Sequence, residues 1–230
     1  MDQQLASTLY TASTWVLPVL LAITLHEASH GFVAHMRGDD TAWRLGRVTF
    51  NPLKHIDPIG TILLPGLLLF LHAPFLFGYA KPVPVNFGAL KNPRRDMVLV
   101  AAAGPGINIA LAIAAALLAH AVGFLPADAR QWTVLNLENA IVINVVLAVF
   151  NMIPLPPLDG GRVAVGLLPD VLARPLARLE GAGMLIIFGL IFILPLIGTQ
   201  IGQNLNVIGW LLRGPVDKII DVILRVTGNG

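Results

Sequence analysis

Apolar residues run through this chain in long blocks, at about 10–36, 59–77, 97–123, 134–153, 183–198 and 205–213, with short polar loops between them. A helix needs about 20 apolar residues to cross a bilayer. The blocks at 10–36, 97–123 and 134–153 reach that length, and 183–198 reaches it when started near Gly181. The final stretch, "GPVDKIIDVILRVTG", has a different pattern. Ile219, Ile220, Ile223, Leu224 and Val226 recur at helical spacing opposite Asp217, Lys218, Asp221 and Arg225. That predicts an amphipathic helix lying on a membrane surface or on the protein. The pattern as a whole predicts an all-α polytopic membrane protein with about 4–6 membrane segments.

Composition sharpens this. The 230 residues are 56% hydrophobic and 12% charged, with a mean hydropathy of +0.76. A soluble domain carries about 25% charged residues. A formal charge of +2 gives no reason to expect a nucleic-acid partner. There is no cysteine, so disulfides, thiolate nucleophiles and Cys-held metals are excluded, and any metal needs His, Asp or Glu. No basic residue precedes Arg37, so a removable signal is not expected. Residues 1–230 are expected to form a single transmembrane domain. Its core lies at about 10–180, and 181–230 adds a membrane segment and the amphipathic helix.

Lys and Arg set the orientation. Arg37, Arg44, Arg47 and Lys54, then Lys81, Lys91, Arg94 and Arg95, then Arg162, Arg174 and Arg178 cluster in three loops, whereas 124–133 has only Arg130. The first segment therefore runs outside to inside, with the N-terminus outside a cell (inner) membrane. Both flanks of 59–77 are basic, and Pro58, Pro65, Gly66 and Pro74 interrupt it, so a re-entrant element is expected there.

The first apolar block contains HEASH at 26–30. His26 and His30 are one turn apart on a helix, about 40° around it, so both imidazoles can reach one ion. Glu27 sits beside them as a base. H-E-x-x-H on a helix is a zinc-hydrolase signature, in which the metal acidifies a water and the glutamate accepts its proton. The alternative is a polar patch satisfied by neighbouring helices, which intramembrane placement disfavours. His55, beside Asp57 in "NPLKHIDP", is a candidate group behind the site or at its gate. A catalytic zinc usually has three protein ligands. Asp159 in "NMIPLPPLDGGR" follows an apolar span on the same side of the membrane. By spacing alone it is equally a helix-ending turn.

Together, HEASH, Gly104-Pro105 with Asn108 in "AAAGPGINI", and "NMIPLPPLDGGR" resemble the site-2 protease family, intramembrane zinc metalloproteases, over roughly residues 10–180. The resemblance implies a protease domain with one Zn2+ held by His26, His30 and Asp159. It implies Glu27 as general base, and Asn151 and Asn108 as supports for the substrate backbone or the transition state. It implies a transmembrane protein as substrate, cut in or near its membrane segment, in regulated intramembrane proteolysis at a site toward the cytosolic side. The chain looks like the short prokaryotic type, without a PDZ domain between 123 and 134 or a CBS domain at the C-terminal end.

"GYAKPVPVNFG" at 78–88 reads as an extended segment. Pro82 and Pro84 are two apart, so their missing N–H groups lie on one edge. In the family a small membrane-associated β element pairs with substrate, and Lys81, Pro82, Val83, Pro84 and Val85 are the matching residues. Two other functions were weighed, a metal transporter and a non-catalytic scaffold. The clustering of intramembrane ionisable residues at one depth opposes the first, and an intact Glu27 opposes the second. The oligomeric state and the natural substrate are not encoded in these patterns.

Overall fold

The computed structural model describes residues 2–70 and 78–230. The chain is helical, and no strand forms among the described residues. Helix α1 (Asp2–Met36) is followed by a short α2 (Thr41–Arg44). A π-helical turn at Pro58–Leu63 leads into α3 (Leu64–Phe70). Then come α4 (Pro93–Ala119), α5 (Ala127–Asn151), α6 (Asp159–Leu167) and α7 (Asp170–Arg178). Helices α8 (Glu180–Phe188) and α9 (Leu194–Gln200) are joined by a π-helical turn into one rod, and α10 (Val207–Val226) closes the fold.

Four helices are long and apolar enough to cross a membrane: Gln3–Met36, Pro93–Ala119, Ala127–Asn151 and Glu180–Gln200. These match the four blocks expected to span, and the protein is a multi-pass membrane protein. Its outer face is correspondingly apolar: Leu17, Leu21, Leu117, Leu118 and Leu185 are all exposed. A bilayer covers such a surface without leaving backbone groups unpaired, because helices satisfy them internally.

Helices α1, α4 and α5 pack on one another as the core. Ala112, Ala115 and Ala116 of α4 lie against Ile141 and Val145 of α5. Small residues let membrane helices approach closely, which strengthens dispersion contacts where lipid offers no hydrophobic drive. Helix α10 seats Val216 and Ile223 in the same cluster. The blocks at 205–213 and 214–228 are thus one continuous helix, and the amphipathic face is turned onto α4 and α5. His120 Nε2 bonds the Thr227 carbonyl at 2.6 Å, tying the end of α10 to the end of α4.

The three basic loops meet at one end of the bundle. Lys91 N–H donates to the Arg37 carbonyl at 2.9 Å, and Arg94 Nη1 pairs with Asp170 at 2.8 Å. The predicted re-entrant stretch is described as far as Phe70, and residues 71–77 lie outside the described residues. Its flanks are joined: Tyr79 N–H donates to Gly60 O at 3.0 Å, and Thr61 Oγ1 donates to Tyr79 O at 2.9 Å.

The expected β element is not confirmed. Residues 78–86 run as an irregular strap across the bundle, and among the described residues no strand lies beside it. The strap's donors are instead consumed singly. Tyr79 N–H goes to Gly60 O and Lys81 N–H to His55 O at 2.9 Å. Val83 N–H goes to Glu27 and Asn86 N–H to Asp39, each at 2.7 Å. The edge alternation expected from Pro82 and Pro84 survives, since residues 79, 81 and 83 all donate inward. A ladder needs a neighbouring strand to receive those donors, and side chains and turns have taken them.

Candidate metal centre

Helix α1 is continuous through HEASH, so His26 and His30 project from one face onto α4. Their rings meet edge to face with centroids 4.7 Å apart. Each Nδ1 is engaged away from the partner ring. His26 Nδ1 lies 2.6 Å from Asn108 Oδ1, and His30 Nδ1 lies 2.7 Å from the Val100 carbonyl. Both partners are acceptors, so both Nδ1 atoms carry the hydrogen, and in the neutral rings both Nε2 atoms keep a lone pair.

Those lone pairs converge. The two Nε2 atoms are 3.1 Å apart, and Asp159 Oδ2 is 3.1 Å from the first and 3.3 Å from the second. Asp159 opens α6, which the Pro-rich turn 152–158 swings back against α4. Its Oδ2 is buried without a hydrogen-bond partner. Three acceptors pointed at one another with no proton between them repel, and a cation between them removes the repulsion. Bonds of about 2.0–2.2 Å at tetrahedral angles place zinc ligand atoms about 3.3–3.5 Å apart. The observed edges of 3.1, 3.1 and 3.3 Å lie at or just below that figure, and His26, His30 and Asp159 could hold a metal ion.

Three glycines make the approach possible. A Cβ on Gly104 would stand 2.5 Å from both His26 Cε1 and His30 Nε2. The Gly of the Gly104-Pro105 motif therefore leaves the space that the imidazoles fill. Cβ atoms on Gly160 and Gly161 would collide with the backbone of Met152 and Pro156, so the turn carrying Asp159 closes only with glycine there.

The other predicted residues are placed as follows. Glu27 is half-buried beside the histidines and accepts the Val83 N–H. Asn108 has no exposed surface and lies behind His26, with its Oδ1 2.6 Å from the His26 Nδ1. Asn151 turns its amide onto Leu147 O of its own helix at 3.0 Å. His55 is buried, bonds Thr49 O at 3.1 Å, and meets the strap through its carbonyl at Lys81. Lys81 and Pro82 are exposed, Val83 is buried, and Pro84 and Val85 are half-buried.

Three groups were not foreseen. Arg47 Nη2 donates to Lys81 O at 2.8 Å, although its basic loop had been read only for topology. Asp39, 1% exposed, holds the strap at Asn86. Asn144 bonds Asn108 at 2.7 Å. Their burial inside an otherwise apolar neighbourhood is the signal, and it exists only once the helices are packed.

The profile of peptidase family M50 matches residues 122–196. Among curated proteins, YwhC of Bacillus subtilis (strain 168), which carries the name zinc metalloprotease, is 39% identical over 195 residues, covering 83% of this chain and 85% of YwhC. Rip2 of Mycobacterium tuberculosis (strain H37Rv), named likewise, is 31% identical over 194 residues, covering 84% of this chain and 70% of Rip2. Rip2 of Mycolicibacterium smegmatis is 31% identical over 169 residues, covering 73% of this chain and 62% of that protein. No solved structure matches the chain significantly. A relative with this identity over most of its length, the family profile and the convergent site together establish that the chain belongs to peptidase family M50, the site-2 proteases, and is a zinc metalloprotease.

Proposed function

We propose that the chain hydrolyses peptide bonds in or near transmembrane segments of other membrane proteins, with one zinc ion per chain held by His26, His30 and Asp159. The observation that carries this reading is the convergence of three ligand-type atoms, two from a span-length helix and one from α6, with Glu27 next to His26. A zinc ion bound there supplies Lewis acidity and makes a neighbouring water acidic near neutral pH. Glu27 takes the proton from the attacking water and delivers it to the leaving amide nitrogen. Asp159 contributes the negative charge that two neutral imidazoles lack. His30 and His26 keep their ring orientation through Val100 and Asn108.

The site faces the cytosolic side in this reading, and the N-terminus is outside the cell membrane. His30 and His26 precede Arg37 by seven and eleven residues, which places them roughly 10–16 Å below the basic boundary at about 1.5 Å per residue. The linked flanks Gly60 and Tyr79 support a re-entrant stretch between them. Substrate would meet the strap at Lys81–Val85, and Asn151, at the end of α5, would face the opened substrate backbone.

The test is cleavage of a single-span reporter substrate in proteoliposomes by wild type and Glu27→Gln. Glu27→Gln should keep one zinc per chain and lose about 10²–10⁴-fold in rate. Undiminished cleavage by that variant would sink the assignment of the base.

A further inference from the structure

We infer that Asn144, on α5, is a positioning residue for zinc that acts through Asn108 without touching the metal centre. The inference rests on the reading that His26, His30 and Asp159 bind zinc. It starts from a backbone carbonyl. Asn144 Nδ2 lies 2.8 Å from Ala140 O, four residues earlier in its own helix. A carbonyl only accepts, so the NH₂ end of the Asn144 amide must face it. The oxygen end then faces Asn108, whose Nδ2 donates to Asn144 Oδ1 at 2.7 Å. Asn108 is thereby turned with its own oxygen toward His26 Nδ1, 2.6 Å away.

Each step passes a polarity to the next. Because Asn108 offers an acceptor, His26 carries its hydrogen on Nδ1 and its lone pair on Nε2, where the ligand set needs it. If the Asn108 amide turned over, its NH₂ would face Nδ1. The ring would then hold its hydrogen on Nε2, aimed at Asp159 Oδ2. That is a hydrogen-bonded pair and no longer a ligand pair. Ala22 O also accepts from Asn108 Nδ2, but at 3.3 Å, so the Asn144 bond is the shorter of the two that hold the amide.

Burial makes the polarity strict. Asn144 is 2% exposed, Asn108 0% and His26 7%. No bulk water can replace a lost partner, and an unpaired amide in such surroundings carries its full desolvation cost. The network also joins three helices, α1, α4 and α5. The orientation of one imidazole is thus set by how α5 sits in the bundle.

The experiment uses the full-length chain in detergent, with zinc affinity measured by chelator competition and the ligand field read from the Co2+-substituted absorption spectrum. The variants are Asn144→Leu, Asn144→Thr, Asn108→Leu and the double Asn108→Leu/Asn144→Leu. Threonine can return its hydroxyl to Ala140 O but is too short for Asn108, so Asn144→Thr keeps a satisfied α5 if leucine impairs folding. Asn144→Leu and Asn144→Thr should weaken zinc by about 10-fold, the low end of losses for partners of ligating histidines, and should alter the cobalt spectrum. The effect of Asn144→Leu should vanish in the Asn108→Leu background, because the only route runs through Asn108.

A residue that merely packs α5 would lower the melting temperature of the zinc-free protein and leave zinc affinity unchanged. Wild-type affinity in Asn144→Thr, or an undiminished effect of Asn144→Leu on top of Asn108→Leu, overturns the inference. A wild-type chain that binds zinc no better than His26→Ala overturns the reading of the site itself, and this inference with it.

Discussion

The backbone N–H of Val83 donates to Glu27 Oε2 at 2.7 Å. The strap is hooked onto the carboxylate that the proposed mechanism uses as its base. A carboxylate offers about four lone-pair sites on two oxygens, so one N–H leaves Glu27 able to take a proton. The bond therefore orients the base more than it blocks it. Val83→Pro removes the donor and suits an extended segment already flanked by Pro82 and Pro84. We expect it to slow cleavage by about 10-fold, as for the loss of one hydrogen bond to a charged group, with zinc content unchanged. Val83→Ala keeps the N–H and controls for lost packing against Gly31. Equal rates in the two variants would show that the bond has no part in catalysis.

Asp159 is the only carboxylate in the ligand cluster among the described residues. Asp159→Asn keeps the shape and removes the charge. Zinc affinity should fall by at least about 100-fold, beyond the range for partners that act from behind a ligand. Atomic absorption on the dialysed protein reads this directly, and retention of stoichiometric zinc would exclude Asp159 as a ligand.

Gly104→Ala sets two effects against each other. Alanine favours a helix interior by about 1 kcal/mol over glycine, but its Cβ would stand 2.5 Å from both imidazoles. Overpacking of this kind costs about 1–3 kcal/mol. The histidines can escape it only by rotating away from Asp159. The expected result is a helical protein, by circular dichroism, that has lost zinc. Full zinc occupancy would mean that α1 and α4 can separate without harm.

The seating of α10 is testable at two neighbouring positions. Ile223 is 3% exposed and Val222 is 49% exposed. Ile223→Ala should cost about 2 kcal/mol, the low end for a buried aliphatic, in a denaturant titration of the detergent-solubilised chain. Val222→Ala should change little. Equal costs would place α10 off the bundle.

The turn after α1 should respond to acid. His35 donates from Nδ1 to Asp40 at 2.7 Å. That bond, with Arg44 beside it, holds the Asp40 carboxyl below its ordinary value. A depressed carboxylate contributes stability above its unfolded value of about 3.9 and loses it as pH falls through the lowered one. Trp43 stacks on His35 with centroids 4.4 Å apart. Its fluorescence, with Trp15, Trp132 and Trp210 replaced by Phe, should show a transition below about pH 4. Asp40→Asn should abolish that acid transition.

Much of this was legible in the chain. Long apolar blocks are a one-dimensional signal, so the four spans could be read directly. The spacing of His26 and His30 is local to one helix and needs no tertiary knowledge. Asp159 lies far from them along the chain, and spacing alone left it undecided until the motif set was recognised. The β element is not confirmed because Pro82, Pro84 and the alternation describe one edge of a strand and do not say what will lie beside it. Asn144 was invisible for a related reason. An asparagine in an apolar helix has no periodic signature, and its meaning depends on Asn108, 36 residues away. Asn108 itself was expected to serve substrate. Only the packing of α4 on α1 reveals that its amide oxygen meets His26.

Gly60 and Thr61 are each pinned to Tyr79 by a hydrogen bond. The chain that leaves at Thr61 and returns at Tyr79 is, in architectural terms, a cassette with a closed mouth. Its length is uncoupled from the position of Lys81, Val83 and the carboxylate they approach. An epitope or a fluorophore carried between those two residues is therefore expected to leave the Val83–Glu27 contact in register.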